Sequence, residues 1–247
     1  MNVLPLLHLD EHIAVVNKPA GLLVHRSAID RHETEYAMKI LRNQLGKWVY
    51  PVHRLDKATS GVLVFALDKE SARNMMQIFT SGQVVKYYLA VVRGFTDDSG
   101  RIDHPLKERM DKMSDPLANR DKPAQDAVTE YKRLATAELP HPVGRYPTAR
   151  YSLIQAAPLT GRNHQIRRHM KHIFHPVTGD TTYGDGKQND FFRTRFQCRR
   201  LLLHAREIEF PHPATGQQLR IQAPLDQAFN AVLAALQWDR IALSSRE

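Results

Sequence analysis

Two short apolar runs, residues 6–9 and 13–16, flank the polar triplet Asp10-Glu11-His12, a pattern that predicts a hairpin leading into Asn17-Lys18-Pro19-Ala20-Gly21. Ala37, Ile40, Leu41 and Leu45 recur at helical spacing and predict a helix over 33–45. The continuous apolar run 62–67 reads as a buried strand. Asp68 then caps a helix whose stripe is Ala72, Met75, Met76 and Phe79, with both methionines in the core and Gly82 as the stop. Residues 84–92, 128–134 and 150–157 read as further strands, and 163–172 as a short helix after the Thr160-Gly161 turn. A hairpin is predicted from 201–210 and 218–222, and a last helix has Phe229, Val232, Leu233 and Leu236 on one face. Polar, proline-containing stretches at 97–127 and 140–147 read as loops. Strands arriving in runs, with helices between some of them, predict an α+β fold whose sheet is mixed or antiparallel.

Composition narrows the setting. The 247 residues, 42% hydrophobic and 25% charged, describe a globular chain. A chain of this size buries roughly 70–75% of its unfolded surface, so it needs no disulfide or metal to hold it. Cys198 is the single cysteine, which favours the cytoplasm. No signal-like start and no apolar run of about 18 residues appears, so neither secretion by that route nor membrane insertion is expected. A net charge of +9 makes a polyanion a plausible partner.

The chemistry concentrates in two segments. His53-Arg54-Leu55-Asp56-Lys57-Ala58-Thr59-Ser60-Gly61 lies directly before the buried strand at 62–67, which would present its polar groups from a rigid support. Taken alone, Asp56 and Thr59-Ser60-Gly61 read first as ordinary turn chemistry. In the second segment, around 159–170, a helix puts His164 one turn from Arg167 and Arg168, while Ile166 and Met170 face the core. Such a cluster suits a carboxylate or phosphate; its bland alternative is a solvated basic helix. His169, His172 and His175 invite a metal reading, but steps of three drift around a helix and no cysteine or carboxylate accompanies them, so no metal is expected. Ser60 lacks the Gly-x-Ser-x-Gly elbow of a hydrolase, and no glycine-rich nucleotide loop is present.

In order along the chain, Val15-Val16-Asn17-Lys18-Pro19-Ala20-Gly21, the segment 53–61, Lys86-Tyr87-Tyr88, Thr160-Gly161-Arg162-Asn163-His164-Gln165-Ile166-Arg167, His175-Pro176-Val177-Thr178-Gly179-Asp180 and Leu203-His204-Ala205 together resemble the RluA-type pseudouridine synthases. The resemblance implies that family's α+β catalytic fold, with a mixed, mainly antiparallel sheet, over 1–247 as one domain without an N-terminal S4 RNA-binding domain. It implies conversion of uridine to pseudouridine with Asp56 as nucleophile, attacking base or sugar or promoting a glycal route. Arg167 is then the cation that keeps Asp56 charged, Tyr88 stacks on the uracil and moves a proton, and Arg54 fills the gap left by the flipped base. As an alternative, Tyr87 and Tyr88 alternate on a strand and one of them is simply core. His53 either touches substrate or fixes its loop. Lys18, Arg162, His164 and Leu203 complete the implied substrate contacts.

The isomerisation gains nothing from outside, so no cofactor is implied. The partner is structured RNA, with no membrane and no obligatory protein partner. Val24-His25-Arg26-Ser27-Ala28-Ile29-Asp30-Arg31, Gly144-Arg145-Tyr146-Pro147-Thr148 and Gln188-Asn189-Asp190-Phe191 are similar to the branch of the family that modifies uridine 65 of tRNA. The competing expectations are an rRNA target within the same family, a noncatalytic RNA-binding module, and a metal-dependent hydrolase built on the histidines.

Overall fold

Asp10 makes the first hairpin. Its Oδ1 accepts hydrogen bonds from the backbone N–H of His12 at 2.7 Å and Ile13 at 2.8 Å, and its own N–H donates to the Ile13 carbonyl, closing the turn between β1 (Leu6–Leu9) and β2 (Ile13–Lys18). A computed structural model describes residues 3–26, 34–108, 123–239 and 241. By internal contacts the chain falls into two compact units, the first comprising Met1–Lys86, Lys107–Ala124 and Ala205–Pro224, the second Tyr87–Leu106, Gln125–His204 and Leu225–Glu247.

In the first unit, β2 lies between β1 and β4 (Ser60–Ala66), antiparallel to both, and residues from Ala205 onward of β9 (Leu203–Pro211) follow β4 and carry β10 (Gln218–Gln222). A two-residue strand, β3 (Tyr50–Pro51), also pairs with β4. Every residue of β4 is buried, which is why its sequence is a continuous apolar run rather than an alternation. Ile13, Val15, Val62, Val64, Ile208, Phe210 and Ile221 form this unit's core with Met75 from α2 (Lys69–Thr80). Asp68 caps α2 by accepting from the Ser71 N–H at 2.8 Å, as its sequence position predicts. Met76 corrects the core expectation: it is 51% exposed, because the buried stripe runs through Ser71, Met75 and Ile78 and leaves position 76 on the solvent side.

The predicted helix at 33–45 is α1 (Ala37–Leu45). Tyr36 is extended and bridges Leu23, and the carbonyls of Leu23 and Val24 accept from the N–H groups of Ala37 and Met38, so those two strand-like residues take the place of a side-chain cap. Ser27 to Arg31 of the branch-specific stretch and Glu33 of the predicted helix lie outside the described residues.

In the second unit the order is β5 (Val85–Arg93, from Tyr87 onward), β8 (Ala149–Pro158), β7 (Val128–Leu139) and β6 (Ser99–Asp103), all neighbours antiparallel. Thus the stretch 97–127, read as loop, contains a strand: polar Ser99–Asp103 pairs along β7 on the outer edge of the sheet, where little burial demands apolar residues. Residues 109–122 of that reading lie outside the described residues. Strand β7 runs to Leu139, past an irregularity between Arg133 and Ala135. Leu89, Val91, Tyr151, Leu153 and Phe192 form the core with Phe229, Val232 and Leu233 of α5 (Gln227–Ala235).

Two more helices belong here, α3 (Gln165–His172) and α4 (Gly186–Arg195). The pattern of apolar positions gives no sign of α4, since it buries only Gln188 and Phe192; Asp185 starts it by accepting from the N–H groups of Lys187 and Gln188. The fold is therefore α+β with mainly antiparallel pairing, as the sequence predicts. Among the described residues, no helix is long and apolar enough to cross a membrane.

Candidate functional site

The segment 53–61 is anchored at its start, middle and end, all within the first unit. At its start, His53 Nε2 accepts the Val64 backbone N–H at 3.0 Å, and its ring stacks on Phe79 at 5.1 Å between centroids. A ring nitrogen that accepts must be unprotonated, and burial, with the positive charge of Lys86 second, holds the His53 pKa down to about 3. His53 therefore fixes the loop as a neutral imidazole.

In the middle, the Lys57 carbonyl accepts from the Gly21 N–H at 2.8 Å and from the Lys18 amine at 3.2 Å. Lys18 is fully buried, and its amine also donates to the carbonyls of Pro19 at 2.9 Å and Leu22 at 2.8 Å. The implied substrate contact thus has a loop-holding task in the structure, tying the β2 exit to the residue after Asp56. At the end of the segment, Thr59 and Ser60 are buried and Gly61 lies against β9. Gly61 has φ +116, and a Cβ there would meet the Ala205 carbonyl oxygen at 2.1 Å, so no other residue fits.

Between these anchors Leu55 is buried, Asp56 is half-buried with its carbonyl accepting from the Thr59 N–H at 3.0 Å, and Arg54 is exposed. Burial, and Arg54 second, lowers the pKa of the nearby His25. The turn chemistry that the sequence allowed is present, in a segment that carries Arg54 and Asp56 between its fixed points.

The second unit builds a different polar cluster at the start of α3. Gln165 organises the approach: its Oε1 accepts from Thr160 Oγ1 at 2.6 Å and from the Arg162 N–H at 2.9 Å, while its amide donates to the Val128 carbonyl and Thr129 Oγ1. His164 takes a left-handed conformation, φ 54, which histidine tolerates better than most residues. Its Nδ1 lies 3.1 Å from the Tyr183 hydroxyl. Arg167, 6% exposed, donates from Nε to Asp180 Oδ2 at 2.7 Å and from Nη2 to Asp180 Oδ1 at 2.8 Å, and its guanidinium sits 5.2 Å from the Tyr183 ring centre.

Burial alone would raise the Asp180 pKa. The Arg167 guanidinium and the N–H groups of Tyr183 and Thr182 outweigh it and hold the carboxyl below its usual range. The turn bearing Asp180 is clamped by Asn189 of α4, which donates to the Asp180 carbonyl at 2.9 Å and accepts from the Gly179 N–H at 2.8 Å. Asp180 ends the motif His175-Pro176-Val177-Thr178-Gly179-Asp180, to which the resemblance gives no role, and no sequence pattern marks Tyr183.

Of the remaining candidates in this unit, Tyr88 is half-buried on β5 opposite Ala156 of β8, and Leu203 is buried at the start of β9. Arg162 is exposed and donates from Nε to the Asp126 carbonyl at 3.0 Å. Ile166 and Met170 face the core as predicted. The histidine run has other work: His169 engages both ring nitrogens, with Thr129 Oγ1 and the His104 carbonyl, and His175 Nδ1 contacts the Arg93 carbonyl. Among the described residues, no group of three or more histidine, cysteine or carboxylate side chains is arranged to hold a metal.

A family model described as RNA pseudouridylate synthase matches residues 12–172. Over 236 residues the chain is 52% identical to the tRNA pseudouridine synthase C of Pasteurella multocida, covering 96% of this chain and 97% of that protein. It is 49% identical over 241 residues to the tRNA pseudouridine synthase C of Vibrio cholerae serotype O1, covering 98% and 99%. The solved structure of Human RNA Pseudouridylate Synthase Domain Containing 4 superposes with a TM-score of 0.71 at 28% identity, covering 94% of this chain and 93% of that one.

Proposed function

The chain belongs to the RNA pseudouridylate synthase family, and from that premise we propose that it isomerises uridine to pseudouridine in tRNA, at uridine 65, with Asp56 as the nucleophile. The observation that carries this reading is the loop 53–61. Its fixed points at His53, Lys57 and Gly61 leave Asp56 as the carboxylate presented between them, with Arg54 exposed two residues away. A nucleophile held by its surroundings before substrate arrives is what rapid attack requires.

In this reading the target base leaves its helix before reaction, at a cost of a few kcal/mol, and Arg54 occupies the space it vacates. Tyr88 offers a ring for the uracil and a hydroxyl for proton transfer. Arg167 supplies the positive charge that an ionised nucleophile needs in a site shielded from water, and Asp180 and Tyr183 hold that guanidinium in place. The reaction rearranges bonds within one nucleotide, so these residues suffice without a bound cofactor. The enzyme acts in the cytoplasm on tRNA and without an obligatory protein partner. The tRNA target is supported by the likeness to tRNA pseudouridine synthases C that are about half identical over nearly their full lengths.

The test is the Asp56→Asn variant assayed on tRNA, together with pseudouridine mapping in cells with and without the gene. We expect no product from the variant, tRNA affinity within about tenfold of wild type because phosphate contacts lie elsewhere, and loss of pseudouridine at position 65 on gene deletion. Product from the variant would overturn the nucleophile assignment. Loss confined to rRNA would overturn the tRNA target.

A further inference from the structure

Two of the branch-specific stretches, Gly144 to Thr148 and Gln188 to Phe191, have no place in the chemistry just described beyond the clamp that Asn189 puts on the Asp180 turn. Within the second unit they meet. Gly144, Arg145 and Tyr146 from the first, and Gln188 with the preceding Asp185, Gly186 and Lys187, line one cavity of about 510 Å³ together with Arg93 and Val143. Gly144 has φ +68, and a Cβ on it would stand 3.5 Å from the side chain of Lys187, the residue before the second stretch.

The lining is basic and aromatic. Arg93, Arg145 and Lys187 bring three positive charges against one carboxylate, Asp185. That carboxylate is already engaged, accepting from Arg93 Nη1 at 3.1 Å and from the first N–H groups of α4. Tyr146 is 44% exposed. Arg145 donates to its hydroxyl at 2.9 Å and lies 5.0 Å from its ring centre, with Arg93 at 5.8 Å. An exposed ring flanked by guanidinium groups suits a stacked base next to a phosphate, since arginine forks match phosphate oxygens and any base can stack on an aromatic face. Arg93 ends the same strand that carries Tyr88, five residues away, or roughly 17 Å at the usual rise per residue of an extended strand. That is several nucleotides along an RNA.

We infer that this cavity is a second RNA subsite, which takes a phosphate of the same tRNA several nucleotides from the target uridine and stacks the adjoining base on Tyr146. The inference rests on the proposed tRNA reading and gives the branch-specific residues their task, which is to choose the substrate rather than to act on it.

Arg145, Tyr146 and Lys187 are exposed, so their replacement leaves the core intact. The experiment measures tRNA Kd over a range of salt, with kcat and KM, for wild type, Arg145→Ala/Lys187→Ala, Tyr146→Ala and Tyr146→Phe. The double variant is expected to bind tRNA about tenfold or more weakly, with kcat within about twofold, and to lower the slope of log affinity against log salt by roughly 1 to 2, the share of two phosphate contacts. Tyr146→Ala is expected to lose about fivefold or more in affinity, and Tyr146→Phe to recover most of it because the ring is kept. Unchanged Kd and salt slope in the double variant, or a fall in kcat alone, overturns the subsite. The underlying reading is judged separately, by whether wild type forms pseudouridine in tRNA, so the two fail on different measurements.

Discussion

Arg167 grips Asp180 through two parallel hydrogen bonds, of 2.7 and 2.8 Å, with both side chains buried. Removing one partner from such a pair strands the other charge, a cost of about 3–5 kcal/mol. Asp180→Ala is therefore expected to lower Tm by roughly 10 °C, at the usual 2–4 °C per kcal/mol for a chain of this size, and to abolish turnover with it. Asp180→Asn, which keeps the shape and part of the hydrogen bonding, is expected to fall between. Thermal melts of the two variants check this; an Asp180→Ala protein that melts with wild type would refute the supporting role given to Asp180.

The two dense polar segments, 53–61 and 159–170, stand out in the sequence, and the first hairpin and α2 were legible because one side chain, Asp10 or Asp68, does the local work in each. Asp180 and Lys18 were not. Asp180 meets Arg167 across thirteen residues of chain, a distance that no periodicity spans. Lys18 enters from the resemblance as a substrate contact, and only the assembled fold shows the carbonyls of Pro19, Leu22 and Lys57 around its amine. Helix α4 escaped for a third reason: it is held by its cap and by Asn189 rather than by an apolar stripe. What the sequence hid was thus long-range pairing of polar groups, while apolar periodicity and local capping were plain.

Lys18→Met separates a loop-holding role from a direct substrate contact. The carbonyls of Pro19 and Leu22 lose this donor, while that of Lys57 keeps the Gly21 N–H, and each buried group left unsatisfied costs about 1–3 kcal/mol. The expected result is a lower urea midpoint and reduced pseudouridine formation, with the salt slope of tRNA binding unchanged. A phosphate contact would give the opposite pattern, intact stability with a salt slope smaller by about 1.

Gly61 and Gly21 offer a paired test of what makes a glycine necessary. Both have positive φ, +116 and +86, but a Cβ at Gly61 would collide with the Ala205 backbone, whereas at Gly21 nothing lies within 4 Å. Gly21→Ala therefore meets only the backbone penalty of roughly 1–2 kcal/mol. Gly61→Ala must in addition push β4 from β9, and is expected to leave little soluble protein. Comparing soluble yield and Tm of the two variants checks this, and equal behaviour would show that the close approach to Ala205 is not limiting.

His53 sets a pH dependence whose sign follows from its neutral ring. Its pKa is about 3 in the folded chain against an ordinary 6.5. Between these values the unfolded chain binds a proton that the folded one refuses, so the contribution is complete above about pH 6.5 and declines as pH falls toward 3, by about 1.4 kcal/mol per unit at most. At about pH 5 the loss reaches roughly 2 kcal/mol on that scale. His53→Gln retains a side-chain carbonyl to accept the Val64 N–H but does not titrate. The variant is expected to be the less stable protein at about pH 7.5, through lost stacking on Phe79, and to lose about 2 kcal/mol less than wild type on going to pH 5. Contributions of His25, His104 and His169, whose pKa values burial also lowers, are common to both proteins and cancel. Urea unfolding at the two pH values measures the difference; parallel losses in wild type and variant would mean that His53 is not the neutral acceptor that holds the Asp56 loop to β4.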